Sequence, residues 1–190
     1  MISVKTAHEL EKMRRACRIS ALALQAAGKA IEAGITTADL DKIIYDTILR
    51  HGARPNFKGL YGFPGSACIS INDQVIHGIP SHGVVIRPGD IVSIDTGAAI
   101  DGFNGDNAFT FGCGKIDSEA ARLLEVTRES LYRGIAAAVS GNRIGDIGAA
   151  VQAFVEDNGF SVVRSYVGHG VGKELHEDPE VPNFGKAGRG

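Results

Sequence analysis

The chain nearly repeats itself. Sliding it by 107 residues lays Gly34 on Gly141, Asp39 on Asp146, Leu40 on Ile147, Ile44 on Val151, Ile48 on Val155 and Gly52 on Gly159. A self-match at one fixed offset marks a duplicated supersecondary unit; the competing explanation is that any two equal helices bracketed by glycine align this well. The hydrophobic pattern keeps the same rhythm. Thr6-Ala-His-Glu9 has capping-box spacing, Leu10, Met13, Cys17 and Ala21 follow at helical intervals, and Gly34 supplies a left-handed stop. A second helix starts near Thr37, sets Leu40, Ile43, Ile44 and Ile48 on one face and ends at His51-Gly52. From there to residue 112 the pattern predicts an antiparallel meander. Its runs are Cys68 to Ile71, Val84 to Ile86, Ile91 to Ile94 and Phe109 to Phe111, punctuated by Asn72-Asp73, Arg87-Pro-Gly-Asp90 and Asp101-Gly102. Helices return with a segment capped by Asp117 or Ser118 that carries Leu123, Leu124, Leu131 and Ile135, then one from about Ile144 to Asn158 before Gly159, and Phe160 to Val167 predicts a strand.

This order predicts one α+β domain over 1–190, with a first repeat of about 1–112 and a second of about 113–190. In the first repeat Asp95 and Asp106 lie beyond Gly52; their counterparts would fall near 202 and 213, past residue 190. The second repeat is therefore expected to lack its last hairpin.

Charge excludes some functions. Twenty Lys and Arg against 22 Asp and Glu leave a net charge of −2, with no basic footprint for nucleic acid or anionic lipid. Apolar runs such as Ile135 to Val139 fall far short of the roughly 20 residues that span a bilayer. Met1-Ile-Ser-Val-Lys5 has no signal-peptide core, so a cytoplasmic location is expected. Cys17, Cys68 and Cys113 are scattered, which suggests reduced thiols and neither a disulfide framework nor a cysteine zinc site.

The chemistry gathers on a few side chains. Asp95 and Asp106 flank the turn Asp101-Gly102, so in a hairpin their carboxylates share a face, opposite or one diagonal step apart. Like charges among Ile, Val and Phe are costly unless a cation sits between them, although solvated aspartates near a turn would also fit. Glycines on both sides of His169, in Gly168-His-Gly-Val-Gly172, expose an imidazole fit for ligation or acid/base work, or simply make a tight loop. His176 follows it. His77, in Val75-Ile-His-Gly-Ile-Pro80, is a third imidazole that would equally suit a core position. Gly170-Val-Gly-Lys173 lacks the full spacing of a phosphate loop, and His8, His51 and His82 read as surface groups. Two aspartates and three histidines together suggest a carboxylate-rich hydrolytic site.

These residues resemble the type I methionine aminopeptidases of peptidase family M24. The likeness runs from Lys5, Thr6, Glu9, Lys12, Met13 and Arg14 through Cys68-Ile-Ser-Ile-Asn72, His77-Gly-Ile-Pro80, Gly89-Asp-Ile-Val92, Ile94-Asp95 and Gly105-Asp106. It continues in Gly168-His-Gly-Val-Gly172, His176-Glu-Asp-Pro179 and Val181-Pro-Asn-Phe-Gly185. It implies the pita-bread (creatinase/aminopeptidase) fold, with pseudo-twofold α-β repeats around a curved antiparallel sheet and the second repeat truncated. It implies removal of the initiator methionine by hydrolysis of the first peptide bond through a metal-activated water. Asp95 and Asp106 match the aspartate ligands of two divalent ions (Co, Mn, Fe or Zn), with Asp106 bridging, and His169 matches the histidine ligand. His77 and His176 match catalytic residues that contact substrate, the first orienting the scissile amide and the second donating to the developing oxyanion. Leu60, Phe63, Cys68 and Leu175 match the methionine pocket, Leu60 standing where the family often has an aromatic. Two further glutamate ligands of the family have no counterpart here, since Glu174, Glu177 and Glu180 stand at other motif positions. The partners implied are N-terminal methionyl peptides and nascent chains in the vicinity of the ribosome, met by a monomer. The alternatives are a non-catalytic pita-bread binding module or another M24-type peptidase, proline-directed or creatinase-like; those usually carry an extra N-terminal domain, whereas here the first helix starts within ten residues.

Overall fold

Thr6 starts the first helix in the computed structural model, which describes residues 2–190. Its hydroxyl accepts from the Glu9 amide at 3.3 Å, while the Glu9 carboxylate accepts from the Thr6 amide at 2.9 Å, so two orphan donors are satisfied reciprocally. Helix α1, Ala7–Ala30, buries Ala16, Ile19, Ser20, Ala23, Leu24 and Ala27. That stripe is displaced from the one expected: Leu10 is 39% exposed, and the helix ends at Ala30, ahead of Gly34. Small residues face inward because the backbone itself comes close to the sheet below. Thr6→Ala should cost about 1 kcal/mol, read as a lower urea midpoint with an unchanged slope.

Helix α2, Thr37–Arg50, repeats the device with Thr36 and Asp39 and buries Leu40, Ile44 and Ile48 completely. The 107-residue offset then reappears in three dimensions. Helix α3 spans Ser118–Ala137 and α4 spans Ile144–Asp157, so α4 begins and ends 107 residues after α2, and α3 ends 107 after α1.

The sheet is antiparallel throughout, as a meander requires. Its strands are β1, Arg54–Pro55; β2, Ala67–Ile71; β3, Ile91–Ile100; and β4, Phe103–Gly112. Strand β3 is central, with β4 along the whole of one edge and β1 and β2 sharing the other. Asp101 and Gly102, at φ 54° and 79°, make the tight reversal between β3 and β4, matching the twist of the strands they join.

Two segments read as strands do not form them. Val84 to Ile86 contributes a single bridge, Thr36 to Val85, and residues 160–167 are irregular, with the short strand β5, Gly168–Gly170, starting just after. An apolar run becomes a strand only where a ladder partner is present. Among the described residues β5 has one, β6, Glu177–Val181, and residues 160–167 have none.

The chain forms two compact units, one of residues 3–117 with 171–176 and the other mainly of residues 118–170 with 177–190. The first unit's core joins Ile19, Leu24, Leu40, Ile44 and Ile48 of the helices to Ile69, Val92 and Ile94 of the sheet. In the second, α3 turns Val126, Ser130 and Gly134 inward, and a Cβ at Gly134 would lie 2.9 Å from Val151 of α4. The small residues therefore define the line of closest approach. Leu131 and Ile135 of the same helix are 58% and 56% exposed. Among the described residues no helix is long and apolar enough to cross a membrane.

Candidate functional site

The β3–β4 register decides where the two aspartates meet. Gly97 lies opposite Asp106 and Asp95 opposite Ala108, so the two carboxylates are diagonal neighbours on one face. Burial pushes the Asp95 carboxyl well above the usual carboxylate range, and the charge of Asp106 and a hydrogen bond with it add to the rise. Such a pair must share a proton or accept a positive ion, and its hard oxygen donors suit a divalent metal. The residues therefore fit the metal that the resemblance implies. Among the described residues no group of three or more His, Cys, Asp or Glu side chains is arranged to hold a metal ion.

Cys68 faces Asp95 across β2 and β3. Its thiol is pushed up to about 12 by burial first and then by the charges of Asp95, Asp106 and Asp41. While it stays buried it is a neutral, apolar wall. Asp41 holds the start of β2, accepting from the Ser66 amide at 2.6 Å and the Ala67 amide at 2.9 Å. Its carboxyl is nonetheless raised, because burial outweighs those two bonds.

Phe57, Cys68 and Leu175 are buried together, with Leu60 and Phe63 packed against them. All four residues matched to a side-chain pocket thus converge. Phe57 was missed from the sequence; its signal was its place just beyond the strand Arg54–Pro55, at the edge of the sheet that carries Cys68. Leu175 arrives on the segment 171–176, which hydrogen-bonds to β4 where the Asn104 amide donates to the Gly172 carbonyl at 2.8 Å.

The histidines differ in their settings. His77 is exposed, at φ 57°, so it is not a core histidine. It is fixed through Gly78, which accepts from the Ile69 amide at 2.9 Å and donates to Ser70 Oγ at 3.1 Å. A Cβ at Gly78 would lie 2.1 Å from the Ile69 carbonyl oxygen, so no larger residue could hold His77 there. His176 is exposed and adjoins Leu175 in the same unit. His169 belongs to the other unit, on β5, half-buried, with Nδ1 2.9 Å from the Gly170 carbonyl oxygen. A carbonyl only accepts, so Nδ1 carries the proton of the neutral ring and Nε2 the lone pair.

Known proteins share these features. Residues 11–189 match metallopeptidase family M24. The methionine aminopeptidase of Clostridium acetobutylicum is 53% identical over 190 residues, which is all of this chain and 76% of that protein. Among solved structures, the methionine aminopeptidase of Thermotoga maritima superposes with a TM-score of 0.96 at 42% identity, covering 99% of this chain and 76% of that one. The prolidase of Pyrococcus furiosus gives a TM-score of 0.85 at 25% identity, over 97% of this chain and 53% of its own. The chain belongs to metallopeptidase family M24 and, within it, to the type I methionine aminopeptidases, whose pita-bread fold it has.

Proposed function

We propose that this chain removes an N-terminal methionine by hydrolysing the first peptide bond, with Asp95, Asp106 and His169 as metal ligands. The observation that carries the reading is the acidic pair beside an apolar cluster: Cys68 faces Asp95 across the sheet and is buried in one cluster with Phe57 and Leu175. Asp95 and Asp106 offer oxygen donors on one face. His169, assigned on its family motif, offers Nε2. Bound divalent ions, of Mn, Fe, Co or Zn, supply an activated water and Lewis-acid polarisation of the carbonyl.

The chain's own groups do the rest. Phe57, Leu60, Phe63, Cys68 and Leu175 take the methionine side chain, whose thioether suits an aromatic-lined pocket. The neutral Cys68 thiol adds no charge there. His77 orients the scissile amide, and His176 donates a hydrogen bond to the carbonyl oxygen as negative charge develops on it. Substrates are methionyl peptides and nascent chains near the ribosome, in the cytoplasm, and the enzyme acts as a monomer.

The test is release of free methionine from Met-Ala-Ser after the chain is stripped with chelator and reloaded with Mn²⁺ or Co²⁺. Release that depends on added metal and fails on N-acetylated peptide is expected. Equal release with and without metal would overturn the reading.

A further inference from the structure

Two buried amides stand behind the pocket, and nothing in the chemistry above uses them. Asn104, 5% exposed on β4, and Asn56, 8% exposed just beyond β1, meet through Asn56 Nδ2 donating to Asn104 Oδ1 at 3.1 Å. Asn104 Nδ2 in turn donates to the Gly172 carbonyl at 3.2 Å and the Lys173 carbonyl at 2.8 Å. The Asn104 backbone amide also donates to Gly172. At the other end the Asn56 amide donates to the Gly97 carbonyl at 3.3 Å. A Cβ at Gly97 would lie 2.2 Å from Asn56 Oδ1, so the sheet makes room for this side chain specifically.

The placement of the pair gives it meaning. Asn56 immediately precedes Phe57, and Gly172 and Lys173 immediately precede the turn of chain that delivers Leu175 and His176. Phe57 and Leu175 are two walls of the same apolar cluster. A hydrogen bond between Asn56 and Asn104 therefore ties one wall to the other. The Lys173 to Glu9 ion pair on the same segment, at 3.4 Å with the lysine largely exposed, is screened by solvent. Asn56 Oδ1 is buried with no hydrogen-bond partner among the described residues. Such an acceptor calls for an explanation, and a positioning role for the side chain supplies one.

We infer that the Asn56–Asn104 pair is a strut that sets the width of the methionine pocket by holding Leu175 against Phe57 and Cys68. Asn104 is thus a positioning residue for substrate selection, and this role rests on the proposed aminopeptidase reading.

Thiol accessibility tests the strut without requiring turnover. Cys68 belongs to the pocket cluster, while Cys113 is buried in the main core of the same unit and serves as an internal reference. In Asn104→Ala, alkylation of Cys68 by iodoacetamide, read by peptide mass spectrometry, should speed up at least tenfold with Cys113 unchanged. Asn104→Asp should do the same, because a carboxylate at that position keeps the acceptor for Asn56 but repels the two carbonyls. In the metal-loaded enzyme KM for Met-Ala-Ser should rise at least tenfold with kcat within about threefold, and discrimination between Met-Ala-Ser and Leu-Ala-Ser should narrow. Equal acceleration of both thiols, or no change at either, would overturn the strut. If the unmutated chain releases no methionine, the aminopeptidase reading fails, and the Cys68 to Cys113 ratio still decides the strut.

Discussion

Asp106→Asn will abolish methionine release and, in the metal-stripped chain, raise stability. Both effects follow from one geometry. With metal, the change removes a charged oxygen from the acidic pair, and a fall in kcat/KM on the order of 10³-fold is expected, larger than the loss usual for an outer-shell partner. Without metal, Asp95 is pushed up by burial and by Asp106. Removing the neighbouring charge relieves that cost by about 1 to 2 kcal/mol. A carboxyl whose folded pKa lies above its unfolded value weakens folding as it ionises. The unmutated, stripped chain should therefore be most stable below the ordinary carboxylate value of 3.8 as far as this pair is concerned. It should lose that stability as pH rises above it, levelling off beyond the raised pKa of Asp95. Added Mn²⁺ should flatten this slope, because an ion bound only to the folded state stabilises it. Urea titrations of both forms between pH 4 and 8, with and without chelator, measure all of it. A stripped Asp106→Asn chain less stable than its parent at pH 7 would contradict the electrostatic account.

Gly105→Ala should be among the most disruptive single methyls in the first unit. Its Cβ would lie 2.3 Å from the Cys17 amide nitrogen and 2.5 Å from the Ala16 carbonyl carbon, which are backbone atoms of α1. Side chains can rotate away from such a contact; a helix backbone cannot. The helix must rise off β4, and overpacking of this kind costs about 3 kcal/mol or more, or roughly 6 to 12 °C in Tm for a chain of this size. Gly34→Ala makes the control. Nothing lies within 4 Å of its Cβ, and only its φ of +100° is strained, so about 1 to 2 kcal/mol is expected. Thermal scans that gave equal shifts for the two would show that α1 has room to move. Because Gly105 adjoins Asp106, the alanine variant should also lose metal affinity beyond what its stability predicts.

How much of this was legible beforehand depends on the range of the interaction. The capping box at Thr6, the start of a second helix near Thr37, the Asp101-Gly102 reversal and the shared face of Asp95 and Asp106 were all readable, because each is set by residues within about a dozen positions. The buried stripe of α1 was not. Leu10 and Met13 outrank Ala16 in hydrophobicity, yet Ala16 faces the sheet because the close approach beside it, set by Gly105, admits only a small group there. The same physics exposes Leu131 and Ile135 and buries Ser130 and Gly134. Residues 160–167 have strand composition without a partner. At the site, motif order picked out Leu60, Phe63, Cys68 and Leu175, whereas Phe57 and the Asn56–Asn104 pair needed the register of β1 on β3 to bring them into view.

Residues 171–176 belong to the first unit although 118–170 separate them from the rest of it. During synthesis, that unit is therefore left waiting for its final piece. A nascent chain that has emerged only to residue 117 holds β1 to β4, the acidic pair, Phe57 and Cys68, but neither Leu175 nor the carbonyls that Asn104 binds. Closing that gap means bringing together positions 68 and 69 apart in sequence, an entropic cost that delays such contacts until late in folding. The proposed pocket thus gains its Leu175 wall late, once residue 176 is free to dock.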